Sequence, residues 1–185
     1  MQPALTSTAY ALHNLGLAAG FGGSLFGRLA FNPSVHVIKD HTERGAVVTR
    51  AWSRYNWMSS VGMGATALTW LIGRSFISAP SFDKTGRALT LAKDVALGTT
   101  IAVGGASIVC NQLLSKIEPE GRVDIDAGNE ASARTPEKAR KLITTLNVLG
   151  NIGLFASAAV IAIDAALTLR GSRSSKWRMI AKFLP

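Results

Sequence analysis

The sequence predicts an all-α fold, an integral membrane protein in which four transmembrane helices form a bundle. The first observation is composition: 48% of the 185 residues are hydrophobic and only 17% are charged, against roughly a quarter charged in ordinary soluble domains. The second is that the apolar residues gather in four stretches of about 20 apolar or small residues, each enough for a helix to cross a bilayer. Because a backbone in lipid must satisfy its own hydrogen bonds, these stretches are expected to be helical.

We expect a single membrane domain over residues 1–185. A polar loop at 115–137 separates spans three and four, and a basic tail at 170–185 follows span four. The four predicted spans cover about residues 8–31, 55–77, 89–114 and 142–169.

The connections carry helix signals of their own. Pro33 ends the first span, and residues near 41–54 predict a helical extension into the second. Thr135-Pro136-Glu137 has the order of an N-cap, a first-turn proline and an acid, which predicts that the fourth helix begins ahead of its apolar run. The tail around Trp177 predicts a short amphipathic segment lying on the membrane.

The charge balance points to lipid. The chain has 20 Lys and Arg residues against 11 Asp and Glu residues, a net charge of +9. These charges avoid the apolar stretches and gather where helices would leave the bilayer, which favours anionic lipid headgroups over nucleic acid as the partner. We therefore expect a protein integral to a cell membrane, specifically the bacterial inner membrane.

The stretch HNLGLAAGFGGSLFGR, residues 13–28, is unusually rich in glycine. It is not a phosphate-binding loop, because Arg28 and Leu29 stand where that motif needs Lys and Ser or Thr. Its glycines instead recur every four residues, the spacing that lets helix backbones approach closely in lipid. The residues predicted to pack helices in this way are Gly16, Gly20, Gly23, Gly27, Gly64, Gly98 and Gly153.

His13 carries two interpretations. It is a candidate ligand for a tetrapyrrole, haem or chlorophyll, with the bare surface of Gly16 and Gly20 admitting the flat ring. The alternative is a histidine that hydrogen-bonds a neighbouring helix. We expect no cofactor under the second interpretation.

The other polar residues of the spans also have two interpretations each. Asp164 is either paired near the headgroups, close to Arg170, or part of an ion path, and Lys93 and Asp94 either neutralise each other or reach water. Asn147 and Asn151 share a helix face and predict interhelical hydrogen bonds.

The sequence shows no catalytic or metal-binding set. His36 and His41, with Asp40 and Glu43, lack the further converging ligands of a stable zinc site. The segment DIDAGNE, residues 124–130, lacks the glycine and glutamate that a calcium loop requires and is expected to be a mobile acidic loop. Without a nucleophile and base or paired acids, we expect no enzyme activity.

The chain resembles a family of small four-span membrane proteins of unknown function. The resemblance lies in His13 with GLAAGFGGSLFGRLAF, in RGAVVTRAWSRYNWMSS, in NQLLSKIEP and in TLNVLGNIG. It implies a four-helix bundle and no particular activity.

Three functions are compatible with these features. The first is an accessory subunit that packs through its glycine faces in a larger respiratory or photosynthetic membrane complex, or against further copies of itself. The second is a tetrapyrrole- or lipid-binding membrane protein that uses His13. The third is a small transporter or channel that uses Asp164 together with Lys93 and Asp94.

Overall fold

The structure, a computed structural model, describes the backbone of residues 3–76, 83–117 and 122–181, and the side chains of 8, 11–72, 83–117 and 122–170. The prediction of a mainly helical chain with four long helices is confirmed. In chain order the elements are α1 (Pro3–Phe26), a π-helical turn (Gly27–Phe31), α2 (Asn32–Ser34), a 3₁₀ turn (Val35–Val37), α3 (His41–Phe76), α4 (Lys84–Ile117), β1 (Ile125–Ala127), β2 (Glu130–Ala131) and α5 (Glu137–Ala181).

The long helices form two antiparallel pairs. α1 packs along α3 and α4 packs along α5, whereas fewer contacts join the pairs, mainly between α1 and α5 and between α3 and α4. Because the chain direction alternates, the start of α1 and the end of α5 lie at the same end of the bundle. We call this end, around His13 and Asp164, the polar end, and the opposite end, around Val123, the hairpin end.

Two of the helices are long and apolar enough to cross a membrane. The mean hydropathy of the most apolar window is 1.4 in α4 and 2.1 in α5. Among the described residues α1 and α3 do not meet the same criterion, so a bundle with four spans stays a prediction.

Large apolar side chains nevertheless project outward from all four long helices. Leu15 of α1 is 66% exposed, Trp57 of α3 is 74%, Leu91 of α4 is 64% and Phe155 of α5 is 74%. Soluble monomers rarely expose apolar surface on this scale. On α4 and α5, the exposed apolar side chains fit the two candidate membrane spans.

The helix starts follow from local chemistry. Asp40 Oδ1 accepts hydrogen bonds from the Thr42 hydroxyl at 2.6 Å and from the backbone N–H groups of Thr42 and Glu43 at 2.8 and 3.0 Å. These donors, the hydroxyl first among them, hold the pKa of Asp40 below its usual value. α3 thus begins at His41, which confirms the predicted extension near 41–54.

α5 begins at Glu137, directly after Thr135 and Pro136, as predicted. The Thr135 hydroxyl, however, donates to the carbonyl of Asp124, so it holds the preceding loop to the helix start. The backbone of α5 is continuous to Ala181. The tail was predicted as a separate segment, and its residues 170–181 instead extend the fourth helix, while 182–185 lie outside the described residues.

The polar loop is not a free loop. Its strands pair antiparallel, Ile125 opposite Ala131 and Ala127 opposite Glu130. The hairpin also bonds the connection between α1 and α3, because the Gly128 N–H donates to the Asn32 carbonyl at 3.2 Å. The expectation of a mobile acidic loop at 124–130 is therefore wrong, since backbone partners fix this segment.

Arg44 completes this docking. Its guanidinium donates to the carbonyls of Asp126 at 2.8 Å, Ile38 at 2.6 Å and His36 at 3.2 Å. Beneath the hairpin lies an apolar core with buried side chains from the 3₁₀ turn, from the hairpin segment and from α3, α4 and α5. They are Val35, Val48, Leu114, Val123, Ile125, Ala139 and Ile143.

Gly45→Ala is expected to loosen the hairpin end. A Cβ at Gly45 would lie 2.0 Å from the Val123 carbonyl oxygen, and backbone cannot yield as a flexible side chain can. We expect a loss of about 1–3 kcal/mol in the free energy of unfolding, the usual cost of overpacking. Thermal unfolding in mild detergent measures it, with Gly105→Ala as the control because no described atom lies within 4 Å of its Cβ position. Equal free energies of unfolding in the two variants would contradict the close contact between Gly45 and the Val123 carbonyl.

Candidate functional site

All four long helices contribute side chains to one polar network at the polar end. His13 comes from α1, Lys93 from α4 and Asp164 from α5, and Thr66, Thr69 and Trp70 come from α3. His13 Nε2 lies 2.9 Å from Asp164 Oδ2 and 2.9 Å from Lys93 Nζ. Lys93 Nζ also donates to Asp164 Oδ1. The three titratable groups therefore form a closed triangle.

The ring of His13 is held from its other side by α3. Nδ1 lies 3.1 Å from the Thr66 carbonyl oxygen and 3.0 Å from the Thr69 hydroxyl. A carbonyl only accepts, so Nδ1 carries a proton. In the neutral ring Nε2 then accepts from Lys93, and in the protonated ring Nε2 donates to Asp164. Nε2 therefore bonds Asp164 when it carries a proton and Lys93 when it does not.

Lys93 is the most deeply buried charged residue of the network, with 1% of its surface exposed. Its ammonium lies 3.9 Å from the centre of the Trp70 ring, a cation–π contact. The Trp70 indole N–H donates to Asp94 Oδ1 at 2.7 Å. Among the described residues, no buried side-chain nitrogen or oxygen lacks a hydrogen-bond partner. The network is therefore fully bonded, and it links both helix pairs.

These contacts give partners to the charged residues of the spans. Lys93 and Asp94 were expected either to neutralise each other or to reach water; Lys93 bonds Asp164, and Asp94 accepts a hydrogen bond from Trp70. Asp164 was expected near Arg170, but Arg170 pairs with Asp83 at 3.1 Å in an exposed bridge. Six residues of α5 separate Arg170 from Asp164, which places the network about 9 Å deeper along the helix axis.

An apolar layer one helical turn inward closes the network off. Leu17 follows His13 by four residues, Leu97 follows Lys93 by four, and Val160 precedes Asp164 by four. All three side chains are at least 96% buried and pack together. The layer separates the charged groups from the interior of the bundle.

Beyond this layer lies a cavity of about 530 Å³ between the two helix pairs. Small residues leave the space open, since no described atom lies within 4 Å of a Cβ placed on Gly64, Gly104, Gly105 or Gly150. Apolar side chains such as Met63 supply most of the remaining wall, and hydroxyl and amide groups are interspersed. The cavity reaches the hairpin, where Val123 and Ile125 line it.

Polar side chains lie along the seam between α3 and α4. A smaller pocket there is lined by Trp57 and Ile108 together with six polar residues, which are Ser53, Asn56, Ser60, Asn111, Gln112 and Ser115. Asn56, Ser60 and Asn111 line the large cavity as well. The wide side of the bundle is therefore amphipathic, with apolar walls and a polar edge.

The predicted packing glycines divide into two groups. A Cβ on Gly16 would lie 2.3 Å from the Gly62 carbonyl oxygen, and Gly20, Gly23 and Gly27 face Met63, Tyr55 and Trp52 of α3. Gly153 faces Val103 of α4. Gly64 and Gly98 were predicted as contact surface, but no described atom lies within 4 Å of their Cβ positions, because Gly64 lines the cavity and Gly98 points outward.

The predicted tetrapyrrole face is covered. α3 lies against Gly16 and Gly20, and both ring nitrogens of His13 have protein partners. The alternative interpretation, a histidine hydrogen-bonded between helices, describes the geometry.

One further polar prediction, that for Asn147, has a different outcome from the one expected. Asn147 was expected to bond another helix, but its amide donates to the Asn129 carbonyl of the hairpin at 2.7 Å. Asn151, one turn further, is half-buried. His41 lies 3.1 Å from Asp126 and 3.6 Å from Asp124, and the described residues contain no group of three that is arranged to hold a metal ion.

Neither the cavity nor the position of Arg28 in its wall was predicted from the sequence. Glycines and serines of α3, α4 and α5 line the cavity. In the sequence the same small residues are equally typical of a close-packed helix surface. Comparison of the chain with protein-family models, with curated proteins and with solved structures gives no match. The resemblance to a four-span family therefore stays a prediction.

Proposed function

We propose that this chain is a membrane-embedded protein that binds an amphiphilic molecule, a lipid or a lipid-like compound, between its two helix pairs. The cavity of about 530 Å³ carries the proposal. Its volume lies in the range of ligand pockets, about 300–1,000 Å³, and such pockets combine apolar walls with a few polar groups.

The size of the cavity argues for an occupant. Apolar walls that face empty space lose their van der Waals partners, so a cavity of about 530 Å³ with mainly apolar walls favours an occupant that fills it. Water would bond only the polar edge, because apolar walls offer it no partners. A molecule with an apolar body and a polar end satisfies both surfaces.

The polar network supports the same arrangement. Because it joins all four long helices at one end, the pairs are held there while they stay apart at the cavity. In the proposed arrangement all four helices cross the bacterial inner membrane, and lipid covers their exposed apolar side chains. An accessory subunit of a larger complex would bind lipid in the same way, so the two functions are compatible.

The proposal predicts that the purified protein retains an amphiphile. Native mass spectrometry after extraction in mild detergent should show a bound lipid-sized mass, and a stoichiometric companion protein in the same spectrum would identify an accessory subunit. Gly150→Leu places a side chain in the cavity and should lower the bound fraction about tenfold, a difference of about 1.4 kcal/mol.

Gly98→Leu is the matched control. Gly98 also has open space around its Cβ position but does not line the cavity, so this variant should retain the ligand like the parent protein. The proposal fails if no amphiphile is retained by the parent protein, or if both variants lose it equally.

A further inference from the structure

We infer that the ligand of the cavity carries a negatively charged headgroup and that Arg28 binds it. This inference rests on the proposed function and names the class of amphiphile. Arg28 is the only Lys, Arg, Asp or Glu among the described residues that line the cavity.

The side chain of Arg28 is half-buried. Within the described parts of the chain, no acid forms an ion pair with Arg28 and no residue forms a hydrogen bond with its guanidinium. The other described cations deep in the protein are bonded: Lys93 to Asp164, and Arg44 to three backbone carbonyls. A half-buried guanidinium beside an apolar cavity is costly unless an anion pairs with it.

The backbone that carries Arg28 is unusual and well supported. Gly27–Phe31 forms a π-helical turn, a feature that frequently marks functional sites. Gly27 lies against Trp52, whose ring would be 2.4 Å from a Cβ at that position. The Trp52 indole N–H donates to Asn32 Oδ1 at 3.0 Å, just beyond the turn. Trp52 therefore contacts the start of the turn and the residue just after it, which supports the backbone that carries Arg28.

The guanidinium of Arg28 favours an anion over a neutral or zwitterionic group, because no acid is among the described residues that line the cavity with it. A guanidinium binds a carboxylate or a phosphate through two parallel hydrogen bonds. The apolar part of the ligand then lies along Met63 and Leu154, toward the Leu17 layer.

The test compares ligands that differ only in charge. The full-length protein in neutral detergent, stripped of bound lipid, is titrated with oleate or oleyl alcohol and with phosphatidylglycerol or phosphatidylcholine, and native mass spectrometry counts the bound molecules. We expect the anionic member of a pair to bind at least about tenfold more tightly, since a charge-assisted bidentate contact is worth about that factor or more. The pair with the larger preference identifies the headgroup as a carboxylate or a phosphate.

Arg28→Gln should abolish this preference and leave binding of oleyl alcohol unchanged, while Arg28→Lys should retain part of it because the charge remains. Arg54→Gln is the matched control, since Arg54 is exposed on α3 and does not line the cavity. If the parent protein prefers the anionic member of neither pair, or if Arg28→Gln retains the preference, the inference is overturned and the proposed function stands. If no probe binds, both fail.

Discussion

Lys93→Met is expected to lower the free energy of unfolding by about 3–5 kcal/mol, the range measured when one partner of a buried ion pair is removed. The reason is that Asp164 would keep its negative charge in a site from which the ammonium has gone. The Asp164 side chain is only 17% exposed, so water compensates little. Reversible unfolding in mixed micelles, followed by the loss of helical circular dichroism, measures the change.

Two controls separate charge from packing. Lys93→Met combined with Asp164→Leu should recover much of the loss, because replacing both partners of a buried pair with apolar residues is often neutral or stabilising. Asp83→Asn removes an acid from the exposed bridge to Arg170 and should change stability little. If Lys93→Met were no more harmful than Asp83→Asn, the network would not hold the helix pairs together.

Gly16→Ala is expected to lower the free energy of unfolding by about 1–3 kcal/mol through overpacking between α1 and α3. The added Cβ would lie 2.3 Å from the Gly62 carbonyl oxygen and 2.4 Å from Thr66 Oγ1. α1 and α3 must then move apart. Since His13 lies one turn away on the same helix, its bond to the Thr66 carbonyl lengthens too. The same unfolding assay measures the change.

Gly22→Ala is the control within the same helix. No described atom lies within 4 Å of its Cβ position, so alanine should be neutral or stabilising by up to about 1 kcal/mol, the usual difference from glycine in a helix. Equal losses in the two variants would show that α1 responds to any methyl group. The close contact between Gly16 and Gly62 would then not explain the loss of stability.

Apolar patterning was sufficient to predict the four long helices, and residue type was sufficient to single out His13 and Asp164, because ionisable groups are rare in apolar segments. The partner of Lys93 could not be predicted from the sequence. Lys93 and Asp94 are adjacent in sequence, but neighbours on a helix point about 100° apart and do not face each other. The true partner lies 71 residues away in α5, and only the packed bundle brings it close.

The packing glycines could likewise be predicted only in part from the sequence. Small residues every four positions identified Gly16 as a contact, yet the residue it meets is Gly62, and the predicted Gly64 lines the cavity. Sequence periodicity gives the faces of a helix but not which face a partner covers. The hairpin was missed because its strands are short and its register depends on backbone groups such as the Asn32 carbonyl.

The central claim, that this bundle lies in lipid, can be tested with the single native cysteine. Cys110 is partly exposed on α4 and does not line the cavity. In lipid nanodiscs, Cys110 should resist a charged, membrane-impermeant maleimide, whereas a cysteine introduced by Ala133→Cys, at an exposed site before α5, in a Cys110→Ser background should react fully. Equal reaction rates at the two positions would contradict the membrane-embedded account.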